Sequence, residues 1–99
     1  MKQDRIIPDK TEIVVIDISG KIPKGINLSY DKILRITFNP CVEGFFKKPS
    51  QKIIIDVNGR PAPFEFYRKK EGEQRFDNYI DILTTFAKDN NITLINNLS

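Results

Sequence analysis

Apolar and polar residues alternate with a period of two through most of the chain, and the period changes to 3.6 near its end. The clearest two-fold stretch runs from Lys52 to Lys70, K-I-I-I-D-V-N-G-R-P-A-P-F-E-F-Y-R-K-K. Two strand-like runs flank Asn58-Gly59, the strongest short-range signal for a β-hairpin. The loop is either Asn58-Gly59 alone or the four residues Asn58 to Pro61. Under both registers Ile53, Ile55 and Val57 share a face with Ala62, Phe64 and Phe66, and that face is expected to be core. Pro61 and Pro63 cannot donate ladder hydrogen bonds, so the second strand should start at a sheet edge or beside the turn.

Upstream, Met1 to Lys10 is polar apart from Ile6-Ile7 and reads as a loose leader or a very short edge strand. Glu12 to Ile18 (E-I-V-V-I-D-I) is strand-like, and its near-continuous apolar character predicts burial on both sides, or a second face covered by a helix or a partner. A loop from Ser19 to Gly25 carries Lys21 and Lys24. Alternation resumes over Ile26 to Tyr30 and again from Ile33 to Phe38. The breakers Pro40, Gly44 and Pro49 predict a loop from Asn39 to Gln51 with Phe45-Phe46 in its middle.

Beyond Glu71-Gly72-Glu73, the residues Phe76, Tyr79, Ile80, Leu83, Phe86 and Ala87 fall on one helical stripe. Asp77, Asp81, Thr84, Thr85 and Lys88 take the other side, which predicts an amphipathic helix over 75–89. Asn90-Asn91 are suited to end it in the left-handed conformation. Ile92 to Ile95 is a candidate last short strand. The whole predicts one α+β domain over residues 1–99: strands, a hairpin and then one amphipathic helix near the end.

Composition narrows the class. Hydrophobic content of 39% and charged content of 29% are those of a globular domain. No apolar run reaches the length of a membrane span, and no signal-peptide pattern follows Met1. The single cysteine, Cys41, cannot form an internal disulfide and fits a reducing, cytoplasmic setting.

From Ile26 onward the text resembles the bacterial pleckstrin-homology-like family. The pattern I-x-L-x-Y-x-x-I-x-x-I-x-F is present as Ile26, Leu28, Tyr30, Ile33, Ile36 and Phe38. A polar loop with Phe46, the strand I-I-I-D-V, the strand F-E-F-Y and the helix F-D-N-Y-I-D-I-L follow in order. The resemblance implies a bent sheet or partly open barrel plugged by the helix, and a homo-oligomer. The full pleckstrin-homology barrel has seven strands before its helix; five are legible here, or six with Ile6-Ile7.

Candidate chemistry is sparse. The chain has no histidine, so the commonest general base and metal ligand are missing. Cys41 has neither an activating histidine nor a second cysteine, and the glycines lack phosphate-cradling spacing. Asp77 and Asp81 lie four apart on the polar side of the helix, a solvated face. No catalytic residue, metal site or cofactor is expected, and the chain reads as a non-enzymatic interaction module whose partner is a protein or itself.

Basic residues offer the alternative. Lys21 and Lys24 mark the first loop, and Lys47, Lys48 and Lys52 end the second. Arg68, Lys69 and Lys70 follow the hairpin. Should Tyr30 to Ile33 reverse the chain, these eight converge at one end of the sheet and leave Arg60 at the other. Should Ile26 to Phe38 be one bent strand, Lys21, Lys24 and Arg60 separate from the rest. A patch beside Phe45 and Phe46 suits an anionic lipid surface; the plain alternative is lysines that solvate loop tips, with one phenylalanine folded into the core. The net charge of +3 requires neither. Nucleic acid is the weakest reading, since only Tyr67 is placed to offer an outward ring for stacking.

Overall fold

The computed structural model describes residues 4–98. β1 (Ile6–Pro8), β2 (Glu12–Asp17) and β3 (Lys24–Ser29) form an antiparallel sheet in the order β1-β2-β3. After a 3-10 turn at Tyr30–Lys32 the chain enters a second sheet, ordered β6-β5-β4-β7. Its strands are β4 (Ile33–Glu43), β5 (Lys48–Val57), β6 (Phe64–Tyr67) and β7 (Leu94–Asn96). Between β6 and β7 come the short α1 (Arg68–Glu71) and the long α2 (Glu73–Asn90). The class is α+β with one main helix. The expected single bent antiparallel sheet is instead two sheets that do not close into a barrel, and β7 pairs in parallel with β4. Tyr30 to Ile33 therefore neither reverses the chain within one sheet nor continues a bent strand. It carries the chain from one sheet to the other.

Both sheets and the helix share one core. Ile13 and Val15 from β2, Ile36, Phe38, Ile53, Ile55 and Phe66 from the second sheet, and Phe76, Tyr79 and Leu83 from α2 belong to a single buried cluster. Burial of each large side chain contributes about 1.5–3 kcal/mol, so α2 is a structural partner of both sheets. The stripe is as the period requires except at Ile80, which is only half-buried. The helix runs two residues earlier and one later than its apolar period. It begins after Gly72, whose φ of 102° suits a residue without a Cβ. It ends at Asn91 in the left-handed conformation, φ 55°.

The β5–β6 register pairs Ile55 with Phe64 and Ile53 with Phe66, which is the register of the longer loop. Ala62 is exposed, against its expected place on the core face, because the ladder stops at Ile55–Phe64 and leaves Ala62 in the connection with Pro61 and Pro63. Ile53, Ile55, Val57, Phe64 and Phe66 are all buried as expected.

The largest departure lies between β4 and β5. The expected loop from Asn39 to Gln51 is mostly strand, and only residues 44–47 make the turn. Pro40 pairs across from Gln51 and Pro49 from Val42. The Ile36 N–H donates to Thr93 O at 3.0 Å, on the β7 side. By two-residue alternation the nitrogen of Pro40 also faces away from β5, and that of Pro49 faces away from β4. β7 covers β4 only at Ile36–Phe38, and β6 covers β5 only from Lys52 to Ile55. Both prolines therefore sit on bare edges, where a missing donor breaks no ladder bond.

The segment expected as a loose leader contains an edge strand from Ile6, which is buried; its first three residues lie outside the described range. Arg5 anchors it. Its N–H donates to Tyr79 Oη at 2.8 Å, its Nε to Ile16 O at 3.0 Å, and its Nη1 to Glu71 Oε2 at 2.6 Å. Glu71 is 5% exposed, and the Arg5 guanidinium also lies 4.9 Å from the Phe66 ring centre. This buried ion pair ties the first sheet to both helices.

Candidate functional site

The β4–β5 hairpin ends in a tight turn closed by Lys47 N–H donating to Gly44 O at 3.1 Å. Its tip carries Phe45, 93% exposed, and Phe46, 80% exposed, whose rings meet edge to face at 5.3 Å. Neither folds back into the core. The outer half of the hairpin extends past both flanking strands, so its tip stands beyond the sheet. Five residues of strand beyond Phe38 correspond to a reach of about 17 Å.

Lys47 and Lys48 follow the rings and are exposed. α1 adds Lys69, whose Nζ lies 3.3 Å from where a Cβ on Gly44 would stand. The one carboxylate at the neck of the turn, Glu43, accepts from the Ser50 hydroxyl and from the Lys69 N–H.

Lys21 and Lys24 are exposed, Lys21 in the loop after β2 and Lys24 at the first position of β3. That loop presents Ile18 and Pro23 to a cavity of about 250 Å³ shared with Arg5, Ile16 and Lys70. The Asp17 carboxyl at the head of this loop is held below its usual range by the Ser19 N–H and hydroxyl, with weaker help from the charges of Arg60 and Arg5. Of the eight basic groups, Lys70 shares this cavity with the first loop and its neighbour Lys69 reaches the hairpin turn. Two are also engaged elsewhere. Arg68 binds Gln51, Glu73 and Asp77 and lies 4.5 Å from the Phe76 ring centre, while Lys52 pairs with Glu65 at 3.1 Å. Arg68, which looked like a surface charge in sequence, is a structural clamp on the start of α2.

The strand-like run Glu12 to Ile18 resolves into two faces. Ile13 and Val15 point into the core. Val14 and Ile16 are half-buried on the outer face, and Ile7 and Ile18 are exposed. At its Asp17 end, Ile16 and Ile18 line a cavity with Lys70, Glu71 and Arg75 of the helices.

Beside that face lies the bare edge of β3. The Tyr30 N–H donates to Thr11 O at 2.8 Å, which fixes the alternation: the N–H groups of Lys24, Ile26 and Leu28 point to β2. Those of Gly25, Asn27 and Ser29 point outward and meet no backbone partner among the described residues. The Ile16 N–H donating to Arg5 O on the opposite side of β2 agrees with that phase. No sequence signal marked β3 as an edge, because edge position is a property of the assembled sheet.

Two side chains with reactive heads are quiet. Burial and then Glu43 push the Cys41 thiol up, so the thiolate nucleophile is disfavoured. Tyr67 is half-buried, with the Lys52 ammonium 6.0 Å from its ring centre. Among the described residues, no helix is long and apolar enough to cross a membrane. No protein-family model, curated protein or solved structure matches the chain.

Proposed function

We propose that this chain is a non-enzymatic interaction module of pleckstrin-homology-like type, acting through protein contacts with a second copy of itself as partner. The observation that carries the reading is the bare edge of β3. It is six residues long and contains no proline. Every other sheet edge among the described residues is blunted: β1 is three residues ending in Pro8, β7 is three residues, β6 is four residues preceded by Pro63, and the outer hairpin carries Pro40 and Pro49. Short edge strands and prolines are how folded chains avoid unwanted strand pairing. Among the described strands, β3 alone offers a regular ladder of donors and acceptors.

Antiparallel pairing of two β3 strands about a two-fold axis at Asn27 joins the two three-stranded sheets into one. It sets Gly25 across from the partner's Ser29 and Ile26 across from the partner's Leu28, with no like charges opposed. The order of elements also supports the pleckstrin-homology-like reading, since six of the described strands precede the main helix.

Sedimentation velocity at micromolar concentration tests this. The wild type is expected to form a dimer, and Asn27→Pro, which removes an outward N–H without touching the β2 ladder, to weaken it about tenfold or more. A wild-type monomer throughout, or an Asn27→Pro dimer of unchanged affinity, contradicts the reading.

A further inference from the structure

We infer that the β4–β5 hairpin tip is a docking site for an anionic lipid surface, separate from the β3 edge and independent of it. Two phenylalanine rings are held at the extreme of a projecting hairpin, both more than three-quarters exposed, and no element of the described chain is placed to cover them. An edge-to-face pair of this kind presents a wedge of ring surface. Such a wedge suits the boundary between headgroups and acyl chains, where apolar bodies are withdrawn from water.

The charge around the wedge selects the surface. Lys47 and Lys48 follow the rings, and Lys69 reaches the turn from α1. Against these three stand Glu43 at the neck, whose Oε2 is already engaged by Ser50 and by the Lys69 N–H, and Glu73, which lines the same groove as Lys48 and Lys69 and is paired with Arg68. The tip is therefore locally positive, and each lysine near an anionic membrane multiplies partitioning about fivefold. Backbone pairing with a protein strand is disfavoured here, because Pro40 and Pro49 remove outward donors from both edges of the hairpin. What the hairpin offers is side chains at its point, and a flat charged interface accepts that shape without needing a preformed groove.

Co-sedimentation of the full chain with vesicles of phosphatidylcholine, with and without phosphatidylserine, tests the inference. Wild type is expected to pellet with the phosphatidylserine vesicles at low salt and to be released at high salt. Lys47→Glu/Lys48→Glu and Phe45→Ser/Phe46→Ser are each expected to lower binding at least about tenfold. Their melting temperatures should match wild type, because none of the four side chains packs in the core. Asn27→Pro should still bind, which separates failure of the dimer from failure of the tip. Wild type remaining in solution with anionic vesicles at low salt overturns the inference and leaves a protein as the occupant. Binding that survives Phe45→Ser/Phe46→Ser overturns it as well.

Discussion

β3 and the outer half of the β4–β5 hairpin both leave backbone unpaired, yet the chain treats them oppositely. The hairpin carries a proline on each strand, with both nitrogens facing outward, and ends in two exposed rings. β3 has no proline and shows a clean alternation of outward donors at Gly25, Asn27 and Ser29. The difference teaches that an exposed strand is not one kind of feature. Where the backbone is blunted, contact must come through side chains, and where it is bare the backbone itself can be read.

The largest effect should follow from erasing that difference. Pro40→Val/Pro49→Val restores outward donors on the hairpin and gives the molecule a second pairing edge. A closed dimer then becomes an open-ended assembly, visible as concentration-dependent light scattering; unchanged scattering would mean the prolines do not guard the edge.

Next in size is the tie that keeps the regions in one body. Arg5→Ala leaves the Glu71 carboxylate buried without its partner and should cost about 3–5 kcal/mol, read by urea unfolding. A loss below about 1 kcal/mol would show that the first sheet is not held through this pair. Phe45→Ser/Phe46→Ser should change stability by less than about 0.5 kcal/mol, since the rings bury nothing. A large loss would place them in the core's account and not at a contact surface.

The smallest effect is on pH dependence. Burial pushes the Tyr79 phenol up, with the Arg5 N–H opposing it. The unfolded chain then loses that proton first, so the contribution is complete below about pH 10 and declines as pH rises through the folded value. Tyr79→Phe should flatten the alkaline fall measured by melting temperature, while an unchanged profile would assign the fall to other groups.

Much of this was legible in the sequence because it is local. The 3.6 period set α2, the two-fold period set the faces of β5 and β6, and Asn91 marked the helix end. Phe45, Phe46 and Lys47 were legible as part of a loop, although its length was overestimated. Pro40 and Pro49 look like breakers until it is known that each stands on an uncovered edge, which depends on where β7 and β6 stop. Arg5 gave no signal, because a charge near a chain end becomes structural only when Glu71 arrives from 66 positions away. The same holds for β3, whose neighbour on one side and solvent on the other are decided by the whole fold.

Amide hydrogen exchange on β3 tests the central claim most directly. The N–H groups of Ile26 and Leu28, bonded to β2, should be protected at every concentration. Those of Gly25, Asn27 and Ser29 should be protected at high protein concentration and exchange rapidly on dilution. Rapid exchange at these three positions even at the highest concentration would contradict pairing through the β3 edge.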